Sequence, residues 1–136
     1  MENRTVGVSI EADHRFVRGV RLVASGVASI VGMDVDAVDD LRIAVDEGCT
    51  WLLNHGDGST IDVRFEWSDR SPLTVVGETR LGSVMGEANV DRLVEAILSA
   101  SCAAHQVEFA DGRARFQLVA RVEAAERADW PPEPVG

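Results

Sequence analysis

The segment from Asp36 to Gly56 constrains the fold of this chain most, because it carries a long apolar repeat with helical spacing. Its apolar and small residues recur at steps of three and four, which places them along one side of an α-helix of about five turns. Asp34 or Asp36 is suited to cap the first amide groups, and Gly56 ends the pattern. The segment therefore predicts a helix with one face in the core, formed by Val38, Leu41, Ala44, Val45, Gly48 and Leu52.

On the same helix Glu47, Trp51 and His55 follow one another at steps of four, so their side chains form one row beside the buried face. The run E-G-C-T-W-L-L-N-H-G resembles the E-x-x-T-N-x-x-x-H-G segment of the anti-sigma factor serine kinases, bacterial regulators with a GHKL-type ATPase fold. The resemblance implies that Glu47 stands where the family's glutamate orients a water or hydroxyl for phosphoryl transfer. It also implies that Trp51 stands where an asparagine holds magnesium. An indole offers one N–H donor and no oxygen ligand, so Trp51 predicts loss of the metal.

Composition limits the kind of protein and partner. With 136 residues, 46% of them hydrophobic, we expect one domain with a single core. A formal charge of −10 argues against a nucleic-acid surface and suits a basic partner protein better. All 13 basic residues are arginine, which excludes every lysine-dependent phosphate or Schiff-base site.

Metal, redox and membrane sites have little support in the sequence. Cys49 and Cys102 lie outside any C-x-x-C pattern and are expected to be small buried residues. His14 and His105 show no ligand spacing, so no metal site is predicted. No apolar run reaches the length of a membrane span, and no export signal is recognised. We therefore expect a cytoplasmic protein that does not bind membranes.

The remaining patterns give the order strand, helix, helix, strand, strand, helix, strand, strand. This order favours an α+β fold, a two-layer sandwich in which about three helices cover one face of a mostly antiparallel, mixed sheet. It resembles the GHKL-type ATPase fold over nearly the whole chain. Residues 1–123 are expected to form this domain, and residues 124–136 a proline-rich disordered tail. The predicted strands are Thr5–Ile10, Ile61–Trp67, Leu73–Val76, Ala104–Phe109 and Ala114–Val122, and the flanking helices His14–Val31 and Asn89–Ala100.

The family's second nucleotide motif, D-x-G-x-G, has only a poor match in E-T-R-L-G. Glu78 takes the aspartate position, Arg80 replaces the first glycine and Gly82 is the second. Glycine lets the backbone pass close to the base and phosphates, so Arg80 is expected to fill that space. The stretch 77–89, interpreted as a loop, is shorter than the family's lid. No cofactor is therefore expected, although Glu78 is still able to accept a hydrogen bond from an adenine amine.

The resemblance implies a homodimer that sequesters an alternative sigma factor of the stress-response type and is released by an anti-anti-sigma protein. Phe16 to Arg18 match the family's F-x-R setting, whose arginine touches both partners, and Arg21 follows one turn later. We predict a non-catalytic anti-sigma factor. Two alternatives stay open: an active serine kinase that uses ATP and magnesium to phosphorylate an anti-anti-sigma factor, and a scaffold module that binds another protein. For Trp51, both a space-filling and a partner-binding role stay open.

Overall fold

The computed structural model describes residues 3–69, 71–83 and 88–121, and within them the chain forms five strands and three helices. The strands make one sheet in the order β1-β2-β3-β5-β4, and every pairing is antiparallel. The predicted α+β fold is confirmed and agrees with a GHKL-like sandwich, although no parallel pairing occurs in this part of the chain. Residues 124–136, predicted to be a tail, lie outside the described residues. The elements are β1 Arg4–Glu11, α1 His14–Val31, α2 Val35–His55, β2 Gly56–Trp67, β3 Thr74–Leu81, α3 Ala88–Ser101, β4 Ala104–Ala110 and β5 Arg113–Val119.

The central helix α2 forms as its spacing predicts. The Asp34 carboxylate caps it by accepting a hydrogen bond from the amide of Ala37 at 2.8 Å. It packs against α1 on one side, α3 on the other and the sheet below. Leu41, Ala44, Val45, Gly48 and Leu52 are buried, and Val38 is partly buried against the core.

The two faces of the sheet differ in polarity because successive strand residues point to opposite sides. In β2, Ile61, Val63 and Phe65 lie in the core, whereas the alternating Asp62, Arg64 and Glu66 line the outer face away from the helices. The turn from β4 to β5 is Asp111-Gly112, and both residues have positive φ, at 53° and 73°. This confirms the hairpin that the Asp-Gly pair predicts.

The ring of Phe116 lies between two glycines and sets the spacing between α2 and the sheet. A Cβ atom on Gly77 of β3 would come within 2.2 Å of the ring, and one on Gly48 of α2 within 2.9 Å. Phe116 itself is fully buried. The ring therefore occupies the space that side chains at both glycine positions would need.

Three local expectations are wrong. The glycine at position 77 suggested a loop, but β3 continues to Leu81 because Gly77 makes room for Phe116 within a regular strand. Residues 57–60, whose D-G-S-T sequence predicts a turn, lie within β2, which starts at Gly56. Gly58 has a positive φ of 84°, and the strand pairing is irregular up to Ile61. On α1, Phe16 and Ile30 belong to the apolar repeat with helical spacing, which predicts burial, but both side chains are exposed. Smaller residues are buried in their place: Val17, Ala24 and Ala28.

Candidate functional site

Three rings meet where α2 ends, and we call Trp51, His55 and Phe109 the aromatic cluster. The Trp51 and Phe109 rings stack with their centroids 5.4 Å apart, and the His55 ring lies 5.0 Å from each. Trp51 is 2% exposed and His55 is buried, whereas Phe109 is 52% exposed and covers them from β4. The indole thus fills space inside the domain, which agrees with one of its two predicted roles. It has too little exposed surface to contact a partner protein.

His55 also joins α2 to α3 through Asp91. Its Nε2 atom lies 2.8 and 2.9 Å from the two carboxylate oxygens of Asp91, and Asn54 donates a weaker hydrogen bond to one of them at 3.4 Å. Asp91 is in the first turn of α3, where the helix dipole favours a negative charge. Sequence reasoning assigned His55 only to the end of a helix and missed Asp91, because no local spacing links residues so distant in sequence.

Replacing Asp91 with alanine is expected to lower the free energy of unfolding by about 1–2 kcal/mol, because the buried His55 imidazole loses its partner. Urea denaturation followed by circular dichroism measures the change. Asp36→Ala is the matched control, since Asp36 is an exposed residue in the first turn of α2. Equal losses in the two variants would mean that only the helix-dipole effect was removed.

Glu47 lies on α2 one turn before Trp51 and is partly buried. Burial, and to a lesser extent the neighbouring charge of Asp46, raises the pKa of the Glu47 carboxyl above its ordinary value. The structure thus brings Glu47 and Trp51 onto the same helix, as their spacing predicts.

The raised pKa of Glu47 makes its contribution to stability depend on pH. The folded state favours the protonated carboxyl, so this contribution is complete below the unfolded-state pKa and is lost as the pH rises through the folded-state pKa. Glu47→Gln should therefore be more stable than the parent protein at pH 7 and gain no advantage below about pH 4. Urea denaturation at both pH values tests this, with the exposed Glu11→Gln as control. An advantage that is equal at both pH values would contradict the prediction.

Glu78 and Arg80 do not meet Glu47 and Trp51. Thr79, between them, is fully buried on the helix-covered face, so its two neighbours lie on the outer face of the sheet. Glu78 is 3.6 Å from the guanidinium of Arg113, and the Arg80 side chain is 72% exposed. Arg80 therefore lies on the opposite face of the sheet from the helices, and its expected effect on nucleotide binding stays a prediction.

Gly82 has a structural role beside the aromatic cluster. Its amide donates a hydrogen bond of 2.8 Å to the carbonyl oxygen of His55, and a Cβ atom here would lie 2.5 Å from the carbonyl oxygen of Gly56. Only glycine allows the end of β3 to approach the end of α2 so closely. The predicted glycine of the second motif thus lies near the cluster, while Glu78 and Arg80 of the same motif do not.

Arg18 and Arg21 lie on the outward side of α1, which flanks α2 opposite α3. Arg21 is 3.7 Å from Asp46 of α2, and Arg18 is exposed. The predicted partner-binding arginines therefore occupy a surface separate from the aromatic cluster. Within the described ranges, no group of three or more His, Cys, Asp or Glu residues is placed to hold a metal ion, and no helix is long and apolar enough to cross a membrane.

The chain is similar in sequence to several curated proteins. No model of a known protein family matches the chain. The chain is 34% identical over 77 residues to the serine-protein kinase RsbW of Halalkalibacterium halodurans. These aligned residues make up 54% of the chain and 48% of the relative. It is 33% identical over 78 residues to RsbW of Bacillus subtilis, and the aligned residues make up 54% of the chain and 49% of that relative. For RsbW of Bacillus licheniformis the identity is 34% over 100 residues, 62% of each.

The chain spans about half the length of the first of these curated relatives. Several such matches at 33–34% identity coincide with the five-stranded α+β sandwich and with a helix that carries the E-x-x-T and H-G elements of the family segment. Over about half of its length, the chain is therefore similar to the curated serine-protein kinases RsbW.

Proposed function

We propose that the chain is an anti-sigma factor that sequesters an alternative, stress-response type sigma factor by protein binding alone, without ATP or magnesium. One observation carries the proposal. Trp51, at the position of the family's magnesium-binding asparagine, is buried beneath Phe109 and beside His55. The family resemblance supports the choice of partner, and the sequence similarity to RsbW supports that resemblance.

The residues around Trp51 do not fit a magnesium ion. Magnesium requires oxygen ligands in near-octahedral geometry, and the indole supplies none. The nearby carboxylate of Asp91 is held by His55 and Asn54. Glu47 alone is a poor site for a hard cation. These residues supply no magnesium site that could support phosphoryl transfer.

The helix-covered face of β3 is equally unsuited to an adenine ring. Phe116 lies against Gly77, and the Thr79 hydroxyl donates a hydrogen bond of 2.7 Å to the carbonyl oxygen of Thr60. The Glu78 carboxylate, which was predicted as an acceptor for the adenine amine, is on the other face. These contacts support a domain whose interior is closed by its own side chains.

Protein binding remains as the function that the surface supports. Arg18 is exposed, and a guanidinium group is suited to bidentate hydrogen bonds with acidic groups of a sigma factor or of a competing anti-anti-sigma protein. We include a homodimer in the proposal. The outer edge of β1 pairs with no other strand of the described chain, and a second copy can extend a sheet at such an edge.

Capture experiments test the proposal. The tagged chain, incubated with purified candidate sigma factors in EDTA, should retain one of them as well as it does with ATP and magnesium. Titration calorimetry with ATP and magnesium should give no binding in the micromolar range. The proposal is wrong if no sigma factor or anti-anti-sigma protein is retained, or if retention requires the nucleotide.

An active serine kinase is the second candidate, because the curated relatives are named as serine-protein kinases and Glu47 stands at the family's glutamate position with a raised pKa. A carboxyl with a raised pKa is a stronger base when ionised. Transfer of radiolabelled phosphate from ATP to a serine of an anti-anti-sigma protein, lost in Glu47→Gln, would favour this candidate over the first.

A further inference from the structure

A groove runs along the outward side of α1 and α2, away from the aromatic cluster. It consists of two depressions of about 300 Å³ each, and both are lined by Arg21 and Arg42. Arg18 and Leu22 of α1 line one depression, and Ile43 of α2 lines the other. We call this surface the arginine groove.

The guanidinium groups of the groove have hydrogen-bond donors to offer. The nearest carboxylate to Arg21 is Asp46 at 3.7 Å, and the nearest to Arg42 is Asp39 at 3.9 Å. Both distances exceed those of a hydrogen bond, which extend to about 3.2 Å. No residue of the described ranges pairs with the Arg18 guanidinium. The chain's own carboxylates thus attract these groups without satisfying their N–H donors.

The groove also presents apolar surface. Leu22 is 70% exposed and Ile43 is 48% exposed, and each lines one of the two depressions. A single exposed aliphatic residue is ordinary, but here two of them accompany three arginines in one concave surface. Apolar anchors next to cationic groups are the complement of an amphipathic helix that carries carboxylates beside its apolar residues.

We propose that the arginine groove binds an acidic amphipathic helix of a protein partner, with its apolar residues on Leu22 and Ile43 and its carboxylates on Arg18, Arg21 and Arg42. Local charge complementarity supports this occupant, because the groove is lined by three arginines and only two aspartates. The groove thus differs from the chain as a whole, whose net charge of −10 suits a basic partner elsewhere on its surface. A nucleic acid would be repelled by the rest of such a surface. The inference deepens the proposed function, since it assigns α2 residues Arg42 and Ile43 to the partner surface and defines the chemistry of the partner segment.

A synthetic peptide tests the groove without any sigma factor. The probe is a fluorescein-labelled helix of about 16 residues, with leucine and glutamate at steps of three and four. The control peptide has glutamine in place of glutamate. Titrated into the ¹⁵N-labelled full chain, the acidic peptide should shift the amide resonances of residues 18–22 and 42–43. The control peptide should bind at least about tenfold more weakly, because the charge-assisted hydrogen bonds are missing.

Matched variants locate the interaction. Arg18→Ala and Arg42→Ala should each weaken binding of the acidic peptide about tenfold by fluorescence anisotropy. Arg64→Ala also removes one exposed arginine, but from the outer face of the sheet, and should change the Kd less than about twofold. The proposal is overturned by equal losses in all three variants, by resonance shifts confined to the aromatic cluster, or by no measurable binding.

The outcomes separate this inference from the proposed function. If a sigma factor is retained equally well by the parent chain, Arg42→Ala and Leu22→Ser, the groove is not its binding surface although the anti-sigma function stands. If the peptide binds the groove and no sigma factor is retained, the groove stands and the anti-sigma function fails. Self-association that Arg42→Ala abolishes in sedimentation experiments would assign the groove to a second copy and overturn the proposal.

Discussion

Replacing Trp51 with alanine is expected to lower the free energy of unfolding by about 3–5 kcal/mol, the range for truncating a buried aromatic residue. The indole is fully enclosed between α2 and β4, so its loss leaves a cavity next to His55 and removes the stacking on Phe109. Urea denaturation followed by circular dichroism measures the change. Because whole domains are stable by only about 5–15 kcal/mol, the variant should be close to unfolding at 37 °C.

Trp67→Ala is the control for this prediction. Trp67 is only partly buried at the end of β2, so its truncation should destabilise the domain clearly less. Equal losses of unfolding free energy in the two variants would mean that a position in the aromatic cluster makes Trp51 no more important for stability than the partly buried Trp67.

Trp51→Asn tests the loss of nucleotide binding, since it restores the family's asparagine. Calorimetry should still detect no ATP–magnesium binding, because Phe109 and Glu78 keep their positions; micromolar binding would show that the indole alone blocks the site.

Replacing Gly77 with alanine is expected to lower the free energy of unfolding by about 2–3 kcal/mol, because the added methyl group overlaps the ring of Phe116. The same ring atoms, Cε2 and Cζ, also lie nearest to Gly48 of α2, so the ring has little room to shift towards the helix. Urea denaturation measures the loss. The effect should be the second largest among the variants considered.

Two further variants make this prediction specific. Gly19→Ala is the control, because Gly19 lies on the exposed side of α1 with open space around its Cα, and the change should stabilise the helix by up to about 1 kcal/mol. Phe116→Leu, combined with Gly77→Ala, should be less damaging than the two separate losses would add up to. Strict additivity would contradict a direct clash between residues 77 and 116.

Much of the fold was predictable because its signals are local. The apolar repeat of α2, the alternation in β2 and the Asp111-Gly112 turn each depend on neighbours within one element. The failures involve packing between elements. Gly77 signalled a loop because the sequence gives no sign of the Phe116 ring against it. The apolar side chain of Phe16 favours burial, but in the folded domain it is exposed, and α1 buries Ala24 and Ala28 against the core instead.

The candidate site was predictable only where it lies within one helix. Glu47, Trp51 and His55 share α2, so their spacing was sufficient. Asp91 and Phe109 come from distant elements, and no short-range pattern points to them. Glu78 and Arg80 are linked to a nucleotide only by the match of E-T-R-L-G to the family's second motif, and such a match does not indicate which face of β3 each side chain occupies. In a strand, adjacent residues point to opposite faces of the sheet. Because the sequence predicts a loop at residues 78 and 80, it does not predict that both lie on the outer face of β3.

His55 anchors both ends of the connection between β3 and α3. Its carbonyl oxygen holds the amide of Gly82 and its ring holds Asp91 in the first turn of α3, so a single residue fixes where the connection leaves and returns. Doubling the length of a flexible loop between two fixed ends costs only about 0.6 kcal/mol. Residues inserted after Gly82 should therefore leave α3 in place. A tag or a reporter peptide placed there would disturb the domain little.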